Sequence, residues 1–247
     1  MYKTTKALVL REVRYKEADR MLSLMTSDEG LITAKARGAL RKTSRTSAAT
    51  EQLCYSELTL FGNRGRWTVN EGTVLDSFDG LKKDISALAL GCYFAQCVEA
   101  LALEDQPDEP LMRLGLNSLY ALSRFIYPQE HIKAAFELRL MILAGYEPEL
   151  GFCRSCGAAE PERPLLLLNE GGICCRDCRR AEMGESILLS SGCLQAMRYI
   201  INSDDRHFMS FRIDDADLKI LSKAAERYAL AHMGRSFPTL DYWKSVK

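Results

Sequence analysis

Two short cysteine pairs stand out in this 247-residue chain, Cys153-Arg-Ser-Cys156-Gly157 and Cys175-Arg-Asp-Cys178, with 18 residues between them. A two-residue spacer lets one tight turn deliver two thiolates to the same ion. Two such turns supply the four sulfurs, each roughly 2.3 Å from the metal, of a tetrahedral zinc site. Between the pairs, Leu165 to Leu168, Asn169-Glu170-Gly171-Gly172 and Ile173 read as a hairpin that returns the second pair to the first. The expectation is a single Zn2+ on Cys153, Cys156, Cys175 and Cys178. Cys174 is the alternative to Cys175, through a three-residue spacer to Cys178; the knuckle spacing favours Cys175. Four thiolates leave no coordination position for water or substrate, so the metal's role is structural. Incidental or redox thiols are the other reading, and the matched pairs argue against it. Metal-ligating rather than disulfide-bonded cysteines fit a reducing compartment, the cytoplasm. Cys54, Cys92, Cys97 and Cys193 lie on apolar stretches and read as small core residues.

The second feature is electrostatic. The chain carries 33 basic and 33 acidic side chains, so bulk charge argues for neither nucleic-acid nor membrane binding. The distribution is uneven: residues 1–80 hold 13 basic and 10 acidic groups, and residues 81–150 hold 6 and 10. From Gly30 to Thr50 there are Lys35, Arg37, Arg41, Lys42 and Arg45 and no acidic residue. Arg64, Arg66 and Trp67 follow at a hairpin, adding two cations and an aromatic face. Phosphate-neutralising charge and a stacking ring are the two ingredients of single-strand binding. A solvated basic loop with Trp67 in the core is the plainer alternative.

Chemistry is otherwise sparse. His131, His207 and His232 share no ligand or catalytic spacing and read as helix-surface or capping residues. Gly62-Asn-Arg-Gly65 lacks the Lys-Ser/Thr of a phosphate-binding loop, and no His-x-Glu precedes the cysteine pairs as a zinc deaminase requires. Acidic clusters such as Asp204-Asp205 and Asp214-Asp215 read as loops and helix caps. The chain therefore reads as non-catalytic. Its first 20 residues interrupt every apolar run with charge, and no run of about 18 apolar residues occurs, so neither a secretion signal nor a membrane span is expected.

These groups need a scaffold. Strands are expected over 5–13, 20–26, 31–37, 52–61 and 67–76, with hairpin turns at Asp28-Glu29-Gly30 and Gly62 to Gly65. Five strands in under 80 residues predict a small closed barrel, an OB-fold first among that class. From about residue 80 the apolar period becomes helical, through Leu81 to Leu101, then 110–126 and 129–146, with prolines at the margins. Helices at 190–202 and 215–233 follow the cysteines, the second opening at Asp214-Asp215 and closing at Gly234. The fold class is thus α+β and multidomain. The expected division is a five-stranded OB-fold over 1–79, a helical domain over 80–149 and 183–247, and an inserted four-cysteine zinc ribbon over 150–182.

The chain resembles the RecO recombination-mediator proteins of DNA repair. The resemblance rests on Ala7-Leu-Val-Leu10, Tyr15-Lys-Glu-Ala-Asp19, Leu22 to Asp28-Glu-Gly30, Lys35-Ala-Arg-Gly-Ala39 with Arg41-Lys42 and Ser44, and Phe61-Gly-Asn-Arg-Gly65. It also rests on the order of barrel, helices, cysteine knuckles and closing helices along nearly the whole chain. The closing Phe237-Pro-Thr-Leu-Asp-Tyr-Trp243 fits the family only loosely. The resemblance implies an OB-fold that binds single- and double-stranded DNA and anneals complementary strands. It also implies partnership with RecR and single-stranded-DNA-binding protein (SSB) to help load RecA, in the cytoplasm at the nucleoid. The DNA-contacting candidates are Lys35, Arg37, Arg41, Lys42, Arg45, Arg64, Arg66 and Trp67. A protein-interaction adaptor built on the ribbon, without nucleic-acid binding, is the rival reading; an enzyme using the zinc is a second.

Overall fold

The computed structural model describes residues 1–63 and 65–247 and divides into two compact units, Met1–Ile126 with Phe237–Lys247, and Tyr127–Ser236. The segment 80–149, expected as one helical piece, contributes to both.

In the first unit, strands β1 (Tyr2–Tyr15), β2 (Asp19–Thr26), β3 (Gly30–Ala36), β4 (Tyr55–Asn63) and β5 (Arg66–Asp76) close a barrel in the order β1-β2-β3-β5-β4. All pairings are antiparallel except a short parallel contact between β3 and β5, Ala34 opposite Trp67 and Ala36 opposite Val69. The alternation of strand side chains fills the interior with Ala7, Val9, Leu22, Leu24, Ala34, Leu58 and Leu60. Leu8 and Leu10, on the opposite face of β1, are buried too, with Leu8 lying near Gly115 of a covering helix. Strand β4 starts at Tyr55 rather than Gln52, because Leu53 takes φ +65° and ends the preceding turn.

Helix α1 (Ile85–Leu101) begins four residues after the expected Leu81, where Asp84 accepts the Ser86 and Ala87 N–H groups at 2.8 and 3.2 Å. Asp108 caps α2 (Glu109–Ser123) in the same way through the Leu111 N–H. The last helix of the chain, Pro238–Val246, packs on α1. There Phe237 meets the Tyr93 ring edge-on at 5.4 Å and Thr239 bonds Gln96 at 2.6 Å.

The second unit holds α3 (Gln129–Leu143), α4 (Ser191–Asn202) and α5 (Asp215–Met233); the helix closing the chain is then α6. Asp214 caps α5 and Gly234, left-handed at φ +61°, ends it. A four-stranded sheet carries the cysteines, with β6 (Glu149–Cys153), β8 (Gly172–Cys174), β7 (Leu165–Leu167) and β9 (Ser186–Leu188) in that order. Arg198 of α4 fastens this sheet through the carbonyls of Leu150 and Ala159 and the Glu160 carboxylate, each at 2.9 Å. No helix in the described residues is long and apolar enough to cross a membrane.

Candidate metal centre and nucleic-acid interface

The sulfurs of Cys153, Cys156, Cys175 and Cys178 all lie within 4.8 Å of one another, a group that could hold a metal. Each knuckle is a local backbone product: Gly157 N–H closes on the Cys153 carbonyl at 2.8 Å with Gly157 at φ +75°, and Cys178 N–H closes on Cys175 at 3.1 Å. The β7–β8 hairpin, with Leu165 opposite Cys174, brings the second knuckle to the first. A tetrahedron with bonds of about 2.3 Å has sulfur–sulfur edges of roughly 3.8 Å; Cys156 and Cys175 are 3.8 Å apart. The donor set therefore fits a thiophilic dication. Cys174 is buried against Leu165 and Leu167 and lies outside the group.

The thiols also show what an ion would relieve. Burial pushes the Cys153 thiol up, but N–H groups of Cys156, Cys175 and Ser155 outweigh it and bring the pKa down to about 6. The Cys175 N–H stands 3.3 Å from that sulfur. Cys178 is pushed up to about 12 by hydrogen bonding to the Cys156 sulfur, then by burial and the neighbouring thiols. Crowded thiolates repel one another, and a dication removes the conflict.

The barrel carries a groove of about 1020 Å³ whose walls include Tyr2, Tyr15, Phe61 and Trp67 together with Lys35, Arg37 and Arg66. Tyr2 on β1 and Phe61 on β4 are directly opposite in register, their rings 5.1 Å apart. Trp67 both packs against the barrel core and lines the groove. Its ring lies over Gly62, where a Cβ would stand 2.8 Å from Cζ3; only glycine leaves that space.

The expected cations separate into three sets. Arg37 and Arg66 are exposed, line the groove and have no ion-pair partner among the described residues. Arg41, Lys42 and Arg45 are equally exposed and unpaired but sit on the segment after β3, outside the groove wall. Lys35 lines the groove but is engaged by Asp19, Nζ to Oδ2 2.8 Å. Arg64 lies outside the described residues. The basic segment is pinned at both ends by the β1–β2 hairpin: Leu40 N–H bonds the Ala18 carbonyl, Gly38 N–H bonds Asp19, and Arg20 bonds the Ser47 carbonyl at 2.8 Å.

Sequence reasoning missed Tyr2, Tyr15 and Phe61. The available signal was bulky aromatic residues at strand positions that the inward alternation leaves outside. It also read His131 as a helix-surface or capping residue, whereas the residue is buried. His131 stacks between Tyr127 and Phe211 with ring centroids 4.7 and 3.8 Å away, and its Nε2 bonds the Met209 carbonyl at 2.8 Å.

Comparison with known proteins bears on the whole chain. The family model "Recombination protein O N terminal" matches residues 1–78, and "Recombination protein O C terminal" matches residues 82–241. The chain belongs to the RecO family. DNA repair protein RecO of Acetivibrio thermocellus is 32% identical over 99% of this chain and 97% of its own length. The RecO proteins of Alkaliphilus metalliredigens (29%, covering 98% of both chains) and Heliobacterium modesticaldum (33%, 87% of this chain and 80% of its own) are similar. The two RecO models meet between residues 78 and 82, where the barrel gives way to helices.

Proposed function

We infer that this protein acts in DNA repair as a non-enzymatic recombination mediator, and that the barrel groove is its DNA site. One observation carries the reading: rings able to stack on bases (Tyr2, Tyr15, Phe61, Trp67) share a single groove with cations Arg37 and Arg66 that, among the described residues, no carboxylate pairs within ion-pair distance. In an ordinary fold an unpaired surface cation is unremarkable, but cations converging with exposed aromatic rings fit a phosphodiester chain with bases attached. Arg41, Lys42 and Arg45 extend the charge beyond the groove for the flanking backbone of single- or double-stranded DNA.

Contacts to backbone and ring faces are sequence-blind, so two complementary strands held by the protein gain effective concentration and pair without nucleotide hydrolysis. Family membership supports extending this to RecR, SSB-coated strands and the loading of RecA, in the cytoplasm at the nucleoid. The four thiolates would hold one Zn2+ that shapes the ribbon; the coordination sphere they close supplies no open position for chemistry.

The test is a salt series. Binding of a single-stranded oligonucleotide should weaken linearly in log K against log salt, and complementary oligonucleotides should anneal faster than they do alone, without ATP, also after coating with SSB. An absence of salt-dependent binding by metal-replete, folded protein would leave the adaptor reading in its place.

A further inference from the structure

Among the described residues, Lys35 is the one groove cation already engaged by a carboxylate. Asp19 Oδ2 meets Lys35 Nζ at 2.8 Å while its Oδ1 accepts the Gly38 N–H at 2.8 Å. Both side chains are mostly enclosed, 24% and 18% exposed for Lys35 and Asp19. Lys35 Nζ also stands 4.9 Å from the centre of the Tyr15 ring, so it is held between a carboxylate and an aromatic face. Gly38 is left-handed at φ +64°, which turns its N–H toward Asp19. A backbone N–H and an ammonium that together hold both oxygens of one carboxylate form the kind of site that takes a phosphate group. Here the protein's own carboxylate fills it. Asp19 itself does not line the groove; it stands behind Lys35, so it acts on DNA only through that side chain and through its field.

We propose that Asp19 limits the affinity of the groove: by neutralising Lys35 and occupying the anion site it forms with Gly38, it keeps one phosphate contact unmade, so that a bound strand is held loosely enough to be released. The proposal rests on the reading of the groove as a DNA site. Its physical logic is that a protein which passes strands on must not hold them at full strength. Sequence-independent backbone contacts each add affinity, and a built-in competitor removes one without removing the scaffold. Retaining the lysine rather than losing it keeps Tyr15 oriented by the cation over its ring.

The experiment compares four full-length, metal-replete proteins, wild type, Asp19→Asn, Lys35→Ala and the double variant, for binding of unlabelled single-stranded oligonucleotide across a salt series. Asparagine keeps an oxygen for the Gly38 N–H and removes the charge. Asp19→Asn should bind on the order of twofold to fivefold tighter, with a slope of log K against log salt steeper by about 0.7. It should also release strands more slowly. The double variant, which removes both charges of the pair together, should keep the wild-type slope, and the gain seen in Asp19→Asn should vanish in it. A folded Asp19→Asn that binds no tighter, or a double variant whose slope is flatter than wild type by about 0.7, overturns the proposal while leaving DNA binding standing. The double-variant arm decides the matter even if Asp19→Asn alone fails to fold. If wild type itself shows no salt-dependent binding, the failure belongs to the groove reading.

Discussion

In the first unit Arg37 and Arg66 reach the groove with no carboxylate within ion-pair distance among the described residues, whereas in the second Lys133 is fully enclosed, its Nζ 3.0 Å from Glu137 and 2.9 Å from Glu226. Other groups of the second unit are also engaged inside it: four thiols converge on one another, and His131 is stacked between two rings with its Nε2 bonded to a carbonyl. Lys133 and His131 are satisfied from within, and the thiols by the ion they would share. A cation left unsatisfied and exposed next to exposed aromatic rings contributes little to folding, so its presence is better accounted for by a ligand. A buried one that loses its partner costs several kcal/mol, so its function is to hold the fold. The difference separates the surface that acts from the part that supports.

The hardest test of that separation is to remove the thiolates. Cys153→Ser or Cys178→Ser should reduce zinc from about one per chain to none and forfeit on the order of 10 kcal/mol of apparent metal-binding free energy. Limited proteolysis should then cut in the 150–182 region, while oligonucleotide binding by the barrel persists. Wild-type protein purified without chelator that contains no metal by elemental analysis would remove the centre from the account. Loss of single-strand binding in a variant whose barrel remains folded would break the separation.

Next in size is the enclosed lysine. Lys133→Met removes the enclosed ammonium that Glu137 and Glu226 share, and about 3–5 kcal/mol of stability should be lost in chemical denaturation. A loss below about 1 kcal/mol would mean that the carboxylates find other partners, and the contrast with the groove would weaken. On the groove side, Phe61→Ala removes a ring that the barrel core does not use, and should cost about 1–3 kcal/mol of single-strand affinity with little change in melting. Arg41, Lys42 and Arg45 changed together to Ala should flatten the salt slope by roughly two units for single strands. An unchanged slope in the folded triple variant would confine the DNA surface to the groove proper.

How far these regions can be read from the chain follows from how they are assembled. The metal ligands are paired within four-residue turns, so spacing points to Cys153, Cys156 and Cys178 and favours Cys175 over Cys174; the folded chain brings Cys175 into the converging set. The barrel strands and α5 are legible because alternation, Asp214 and Gly234 act locally. Helix α6 is not: its nine residues are held by Tyr93 and Gln96, far away in sequence, and it has too few turns to show a period. The same holds for β6 and β9, five and three residues that gain their order from β8 and β7. The groove rings come from β1, β4 and β5 and meet only when the barrel closes, so the basic stretch and Trp67 are legible in the sequence, whereas Tyr2, Tyr15 and Phe61 as their neighbours are not. Nor does sequence distinguish Lys35 from Arg37; the Asp19 contact that divides them depends on the β2–β3 register, in which Arg20 faces Ala36.

The smallest expected effect concerns His131 and sharpens the account of the second unit. Burial holds this imidazole below the ordinary histidine value of 6.5, against the opposing effect of the bond to the Met209 carbonyl. His232 is lowered for the same reason. In the unfolded chain both titrate near 6.5. As pH falls below that value, the unfolded state takes up protons before the folded state does, and stability falls until the folded pKa is passed. The contribution is fully present above pH 6.5. The lowered carboxylates Asp84 and Asp204 lose their contribution only further down, below about 4, so the two windows separate. Melting followed from pH 7.5 to 5 should therefore decline by at most about 1.4 kcal/mol per pH unit for each histidine, and His131→Phe, which keeps the ring stack, should remove part of that decline. The groove has no histidine in its walls, so single-strand affinity at fixed ionic strength should stay level while the protein remains folded. A stability profile flat across this range would show that His131 is not held neutral. An affinity that fell in step with it would tie the groove to a titrating group, and the division between a surface that acts and a unit that supports would have to be redrawn.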